Sequence, residues 1–339
     1  MTMESIKPLK HGIWLKIILC VFALFFALFL LLFPHIVVLP FPQHIMIMIF
    51  MYIILSQSWN LLGGYAGQIS IGHAVYFGIG AYASVLLQLK AGFPAWPAFV
   101  LGGIAAIPLA IIIGIPTFRL AGHYFAIATI AVGEIVRILF QNWDWVGGNV
   151  GLSLPLQHEG LWAFQFHTSK AGYYYISLAL AALSVLCVYL IERSKWGYYF
   201  KAIKGDIDAA SSLGVNPVKY KHIANIVASV MAGLAGAFYA QYVLFIDPPS
   251  VMASSMSVLV MLLSVLGGAG RLWGPVIGTV IMIPISELTR VYFAGGGQAV
   301  DQVIYGALIV LFAVLQPGGL LGFYYQRRAQ SRRLGHGTA

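Results

Sequence analysis

The chain has 339 residues, of which 60% are hydrophobic and only 9% are charged, and its formal net charge is +9. A soluble domain carries roughly 25% charged residues, so a water-exposed surface over most of this chain is excluded. Successive apolar runs of about 20 residues are each long enough to cross a hydrocarbon layer of ~30 Å. The runs are continuous, which excludes the alternating pattern of a membrane β-barrel, and backbone groups in lipid must be satisfied internally. The sequence therefore predicts an all-α integral membrane protein.

Ten transmembrane helices are predicted in chain order. Their expected bounds are 16–33, 44–62, 68–89, 95–116, 122–140, 173–192, 223–246, 256–268, 273–291 and 300–316. The first follows three lysines, as a signal peptide does, but it is longer than a usual signal core and no small-x-small cleavage site follows it, so we expect a retained helix. The third opens in glycine-rich sequence and the eighth is short, so we expect both to be irregular.

The distribution of basic residues tests this assignment of transmembrane spans. Of the 19 Lys and Arg residues, only Lys90, Arg137, Lys170 and Arg290 fall on the outer side. The other fifteen fall in cytoplasmic segments: Lys7, Lys10, Lys16, Arg119, Arg193, Lys195, Lys201, Lys204, Lys219, Lys221, Arg271, Arg327, Arg328, Arg332 and Arg333. This asymmetry follows the positive-inside rule and predicts that both termini are cytoplasmic. Basic clusters between apolar runs also argue against nucleic-acid binding.

The assigned spans divide the chain into a cytoplasmic N-terminal segment (1–15), one transmembrane domain (16–322) and a basic cytoplasmic tail (323–339). Two loops are long enough to have functions of their own, an outer loop at 141–172 and a basic inner loop at 193–222. The outer loop carries three tryptophans, Trp143, Trp145 and Trp162. They are either rigid apolar contacts for a partner protein or members of the interfacial aromatic belt.

The stretch "GGYAGQISIGHAVYFGIGAY", residues 63–82, places Gln68, Ser70 and His73 among glycines in an expected span. Polar groups in lipid need partners or a water-filled cavity, and a glycine-broken helix exposes backbone groups that can hold a polar solute. We therefore expect these three residues to line a substrate pathway. The alternatives are that the glycines serve helix packing and that His73 is a hydrogen-bonded packing residue.

Two intramembrane acids each precede an arginine by three residues, Glu134 with Arg137 and Glu287 with Arg290. Residues at this spacing share a helix face, so each pair can neutralise itself. An ionisable residue inside the membrane is a functional candidate by default. The self-paired arrangement favours a structural role instead.

The inner loop contains "KAIKGDIDAASSLGVNPVKYK", residues 201–221. Ile203, Ile207 and Ala210 fall at helical spacing, which predicts a short amphipathic helix, and Gly214 supplies a helix stop. The apolar face of such a helix needs a lipid surface or a groove on a partner protein.

The sequence Asp208-Ala209-Ala210-x-x-x-Gly214 resembles the "EAA-x-x-x-G" loop of ABC importer permeases, with Asp in place of Glu. The segments "GYAGQISIGHAVYFGIGAYAS", "AIATIAVGEIVRILFQNW", "GGNVGL" and "LLSVLGGAGRLWGPVIGTV" resemble the branched-chain amino acid permease family, LivM type. The similarity runs from about residue 57 to residue 322, with the motifs in the expected order.

The resemblance implies a membrane-spanning subunit, in a bacterial plasma (inner) membrane, that works with a LivH-like second permease subunit, two ABC ATPase subunits and an extracytoplasmic amino-acid-binding protein. It implies an ATPase-coupling helix containing Lys204, Asp206, Asp208, Ala209, Ala210 and Gly214. The sequence has no G-x-x-x-x-G-K-[ST] phosphate loop, so ATP would be used by partner subunits and this chain would hold no cofactor or metal.

Other functions stay open at this point. Permeases for urea, nucleosides or pentoses belong to the same wider family. A stand-alone transporter or channel could use Glu134 or Glu287 as an ion site, although the cytoplasmic helix argues against it. An intramembrane enzyme built around His73 and Glu134 lacks a nucleophile–base pair or metal-ligand spacing in the sequence.

Overall fold

The computed structural model describes residues 21, 24–25, 28–120, 122–292 and 306–307. Within this part of the chain, eight helices are long and apolar enough to cross a membrane. They are Pro40–Tyr65, Ala74–Ala91, Ala95–Thr117, His123–Gln141, Ala171–Arg193, Pro217–Val243, Pro248–Gly267 and Gly274–Val291. These eight correspond in order to the second to ninth predicted spans. Half of the first predicted span, nearly all of the tenth, the N-terminal segment and the tail lie outside the described residues.

The helices are numbered here in chain order. They are α1 (Pro40–Trp59), a π-helix (Asn60–Tyr65), α2 (Ala74–Ala91), α3 (Ala95–Ile104), α4 (Ala106–Thr117), α5 (His123–Gln141), α6 (Ala171–Arg193), α7 (Lys195–Gly205), α8 (Ile207–Ser212), α9 (Pro217–Val243), α10 (Pro248–Val251), α11 (Ser254–Gly267) and α12 (Gly274–Tyr292). A short antiparallel ribbon joins β1 (Leu152–Ser153) to β2 (Phe245–Ile246).

The core of the domain lies around α1 and α9, the two most buried spans. Helix α9 packs against α1, α2, α3 and α4. Its approach to α2 is close because small residues face each other where the helices cross. A Cβ atom added to Gly80 would overlap the backbone of Gly233, and one added to Gly236 would overlap the backbone of Phe77. Small residues at such crossings let two backbones come together in a membrane.

The third predicted span begins later than its sequence pattern indicated. We expected a helix from residue 68, but α2 begins at Ala74, and the chain between the π-helix and α2 is not helical. Gly67 has a φ of +74°, a left-handed conformation that ends a helix. The glycine-rich break therefore precedes α2 rather than interrupting it. The eighth span is longer than the expected 256–268 and consists of α10 followed by α11.

The expectation of a single amphipathic helix in the inner loop is wrong. Two helices, α7 and α8, meet at Asp206, whose backbone is extended (φ −156°, ψ 120°). The Asp206 carboxylate accepts hydrogen bonds from the backbone N–H groups of Asp208 and Ala209, each at 2.9 Å. This N-cap begins α8 and interrupts the helical spacing that we read as continuous, because an Asp cap satisfies N–H groups that otherwise lack partners.

Helix α8 ends at a glycine stop, Gly214, as the sequence indicated. Gly214 has a φ of +83°. The Gly214 N–H donates to Ser211 O at 2.9 Å and the Val215 N–H donates to Ala210 O at 3.1 Å. These two bonds form a Schellman motif with glycine at its left-handed position.

Candidate functional site

The segment 66–73 is buried where it passes between the π-helix and α2. Gln68, Ser70 and His73 have exposed fractions of 8%, 3% and 1%, whereas Ile69 between them is half exposed. The predicted pathway residues thus share one short, non-helical segment. In this conformation they are closed off from solvent. A role in lining a pathway therefore requires a second conformation in which the segment opens.

Side chains from the surrounding helices hold this segment through its backbone. Trp59 Nε1 donates to Ser70 O at 2.7 Å, and Thr129 Oγ1 accepts from the Ile71 N–H at 3.1 Å. Ser257 Oγ accepts from the Ala74 N–H at 2.8 Å. The donors and acceptors come from α1, α5 and α11, so a shift of any of these helices would move the segment.

The His73 ring is placed by one hydrogen bond. Its Nε2 contacts Ser58 Oγ, and Ser58 Oγ donates to Ala228 O at 2.8 Å. Because Ser58 has a single hydroxyl proton, the bond to His73 requires a proton on Nε2, which leaves Nδ1 as an acceptor. Among the described residues, this buried Nδ1 has no hydrogen-bond partner. A buried acceptor without a partner costs free energy, so a polar group that reached Nδ1 would be bound favourably. Whether His73 lines a pathway or serves packing stays a prediction.

A single cysteine at Ser70, in a chain lacking Cys20 and Cys187, should test whether the segment opens. We expect slow reaction with a small water-soluble thiol reagent at rest, because Ser70 is buried. If the working cycle shifts the protein from a mainly closed to a mainly open state, the labelling rate should rise about tenfold. The measurement is the labelling rate with and without the ATP and loaded binding protein that the sequence resemblance implies.

The matched control is Ser169→Cys in the same background, because Ser169 is an exposed serine before α6. It should label at one rate with and without ATP alone. A cysteine at position 70 that stays inert in all states would contradict the pathway assignment.

The two intramembrane acids lie beside their arginines. Arg137 Nε lies 3.1 Å from both carboxylate oxygens of Glu134, and Arg137 makes a further contact through its terminal nitrogen. Ser254 Oγ donates to the same carboxylate at 3.4 Å. In the second pair, Arg290 lies 3.5 Å from Glu287. Each acid is therefore next to a cation of its own helix, as the spacing predicted, which disfavours an ion-binding role for either.

Sequence reasoning missed the residues that complete the second pair. His44 Nε2 lies 3.9 Å from Glu287, and His44 Nδ1 lies 2.6 Å from the hydroxyl of Tyr242. The rings of His44 and Tyr242 are stacked. These residues are 198 positions apart, so no local spacing could have brought them together.

The six residues expected in the coupling helix have different surroundings. Ala210 is buried against the rest of the chain, whereas Asp208 and Ala209 are exposed on the first turn of α8. Asp206 and Gly214 form the two ends of α8, as described above. Lys204 lies on α7 and is directed back to the membrane domain, where its Nζ donates to Gly64 O at 2.7 Å.

The exposed surface of α8 is apolar at two points. Ile207 is 38% exposed and Leu213 is 85% exposed. Such side chains can be covered by a lipid surface or by a groove on a partner protein, and the resemblance to importer permeases favours the partner. The predicted docking surface is therefore Ile207, Asp208, Ala209 and Leu213.

At the expected outer end, the three tryptophans of the long loop are exposed, Trp162 most of all at 90%. The rings of Trp143 and Trp145 lie 5.7 Å apart, and the Lys90 ammonium lies 4.2 Å above the Trp145 ring. The ribbon between β1 and β2 attaches this loop to the chain that follows α9. The loop is thus a fixed structure that presents aromatic rings to its surroundings.

Comparison with known families decides the class of protein. Residues 41–313 match the family described as "Branched-chain amino acid transport system / permease component". The chain belongs to this family. The match runs from the start of α1 past the end of α12, so it includes both the buried segment 66–73 and α8. It confirms the resemblance that the sequence motifs carried and identifies the chain as a multi-pass membrane transport permease.

Individual relatives agree with the family. The permease is 29% identical to the high-affinity branched-chain amino acid transport system permease protein LivM of Salmonella typhimurium, over 81% of its own length and 68% of that protein. It is 26% identical to LivH of the same organism, over 80% of its length and 91% of that protein. A probable LivM of Methanocaldococcus jannaschii is 24% identical over 80% of the permease and 90% of that protein. No solved structure matches the chain.

Proposed function

We propose that this permease is one membrane-spanning subunit of an ATP-driven importer of branched-chain amino acids: leucine, isoleucine, valine or a related small solute. The observation that supports it most is α8. This helix carries the D-A-A-x-x-x-G pattern, is fixed at both ends by Asp206 and Gly214, and presents Ile207 and Leu213 to solvent. A stand-alone transporter or channel has no need of a docking helix for an ATPase.

The rest of the importer would come from other chains. A second permease subunit would complete the pathway, and the permease's similarity to both LivM and LivH is consistent with a pair of related subunits. Two ATPase subunits would dock on α8 from the cytoplasm, since this sequence has no phosphate loop. A binding protein would deliver the solute to the outer face, where Trp143, Trp145 and Trp162 are exposed.

We place the permease in a bacterial plasma membrane with ten spans and both termini in the cytoplasm, on the strength of its charge asymmetry. Closure of the ATPase pair would move α8 and shift the permease between a state open inwards and a state open outwards. Such a shift requires that ATP and the loaded binding protein interact differently with the two states.

The chemistry of the buried segment suits the proposed solute. An amino acid is a zwitterion, and a strong fixed charge in its path would trap one end of it. Gln68, Ser70 and His73 offer neutral donors and acceptors beside flexible backbone, whereas Glu134 and Glu287 lie next to arginines. These contacts favour segment 66–73 over the acids as the pathway lining.

Reconstitution tests the proposed function. The permease is purified with the two ATPases, the second permease subunit and the binding protein proposed as its partners, and the complex is placed in lipid vesicles. We expect uptake of radiolabelled leucine that requires both ATP and the binding protein. Unlabelled isoleucine and valine should compete, whereas xylose and urea should not.

Competition by xylose or urea alone would contradict the assignment of the solute. A short match to a xylose transport permease of Haemophilus influenzae, 28% identical over 32% of the chain, makes xylose the informative competitor. Uptake without ATP would contradict the importer itself.

A further inference from the structure

The side chain of Lys204 connects α7 to the π-helix. Lys204 lies in the last turn of α7, and its Nζ donates to the carbonyl oxygen of Gly64 at 2.7 Å. Gly64 belongs to the π-helix Asn60–Tyr65, which continues α1. The contact joins residues 140 positions apart, one in the cytoplasmic loop and one at the end of a membrane span.

Two glycines, Gly67 and Gly270, make room for this lysine, and Gly64 accepts its hydrogen bond. We call these three glycines the lysine slot. A Cβ atom on Gly67 would lie 3.0 Å from Lys204 Cγ, and one on Gly270 would lie 3.1 Å from Lys204 Nζ and 2.8 Å from Gly64 O. All three distances are shorter than ordinary van der Waals contacts of a Cβ atom. The two glycine-rich turns, "LLGGYAG" and "VLGGAG", therefore meet around one side chain.

The lysine slot is also connected to the loop before α12. The Gly270 N–H donates to Asn60 Oδ1 at 2.7 Å, and Asn60 Nδ2 donates to Arg271 O at 3.1 Å. Gln57 Nε2 donates to Leu272 O at 2.7 Å. The end of α1 and the π-helix thus hold the loop before α12, and the π-helix also holds the lysine of α7.

A second set of contacts fixes α7 to the same π-helix. Lys201 Nζ lies 2.9 Å from Glu192 and 5.6 Å from the centre of the Tyr65 ring. The Tyr65 hydroxyl donates to Glu192 at 3.0 Å. Since Asp206 both ends α7 and caps α8, a displacement of α8 is passed directly to α7 and from there to the π-helix.

We infer that Lys204 is the residue through which a displacement of α8 reaches the π-helix and, beyond it, the buried segment 66–73. The segment begins directly after the π-helix, and Gly67 within it touches the Lys204 side chain. Lys204 is thus a positioning residue that couples the cytoplasmic docking helix to the closed pathway segment. This inference rests on the proposed function.

Electrostatics supports a specific hydrogen bond between Lys204 and Gly64. Burial lowers the pKa of the Lys204 ammonium, which means that the charge gives up water to reach Gly64 O. A hydrogen bond with a charged donor is stronger than one between neutral groups. Lys204 and Lys195 are both exposed residues of α7, but Lys204 directs its Nζ to a backbone carbonyl of the membrane domain.

The experiment measures leucine taken up per ATP hydrolysed, in lipid vesicles that contain the complete complex with Lys204→Met, Lys204→Arg or Lys195→Met. We expect Lys204→Met to keep basal ATP hydrolysis and to lower uptake per ATP about fivefold or more, the range of typical coupling between sites. Lys204→Arg should restore part of the ratio because it keeps a charged donor. Lys195→Met should match the wild type.

A purely structural lysine would change the amount of complex but not uptake per ATP, so a wild-type ratio in Lys204→Met overturns the inference. If Lys204→Met does not assemble, Lys204→Gln, which keeps a shorter and neutral donor, should give a lowered ratio, and a wild-type ratio there also overturns it. A wild-type complex that takes up no leucine would overturn the proposed function instead. The two failures are therefore distinguishable.

Discussion

Replacing Gly236 with alanine should lower the stability of the membrane domain by about 3 kcal/mol, the upper part of the usual range for overpacking. The added Cβ would overlap Phe77 O and lie 2.7 Å from Phe77 C and 3.1 Å from Ala81 N. All three are backbone atoms of α2, so no side-chain rotation can relieve the contact. Helices α2 and α9 would have to separate, and the close packing around Gly80 and Gly233 would be lost with them.

Gly205→Ala is the matched control, because a Cβ atom there meets nothing within 4 Å. The unfolding midpoint of the purified complex in detergent should fall clearly in Gly236→Ala and stay at the wild-type value in Gly205→Ala. Equal midpoints for the two variants would mean that the α2–α9 crossing is not as close as the structure places it.

The membrane spans could be read from the sequence because each depends on a local property, a long apolar run. For α3–α4 and for α5 the expected and observed bounds differ by no more than one residue. The start of α2 could not be read in this way. Residues 68–73 lie at the start of a long apolar stretch and were assigned to it, but the left-handed Gly67 and the side chains that bind the backbone of the segment decide its conformation. Those partners come from distant helices.

The candidate site likewise contains features that the sequence predicts and features that it does not. The end of α8 was predictable because Gly214 and the Asn216–Pro217 pair are local stop signals, and Asn216 does cap α9 by accepting from the Lys219 N–H at 3.1 Å. The interruption at Asp206 was missed because spacing alone does not reveal when a side chain will cap the helix that follows. The contact of Lys204 with Gly64 joins residues 140 positions apart and depends on tertiary packing, which no local pattern reveals.

Replacing Ala209 with arginine should reduce uptake to background while leaving the permease folded. Ala209 is exposed on the first turn of α8, next to the apolar Ile207, so the permease itself can accommodate a long side chain there. In the proposed complex this surface is covered by an ATPase subunit, and a buried charge without a partner there would cost about 3 kcal/mol. That corresponds to roughly hundredfold weaker association.

The control is Ala202→Arg, which places the same side chain at an exposed position of α7 outside the proposed docking surface. ATPase subunits that co-purify with the tagged permease are quantified for both variants, together with leucine uptake. Ala202→Arg should retain both, and Ala209→Arg should lose both while its yield and unfolding midpoint stay normal. If Ala209→Arg kept its ATPases and its uptake, α8 would not be the docking helix, and the route from ATP to the pathway would have to enter the permease elsewhere.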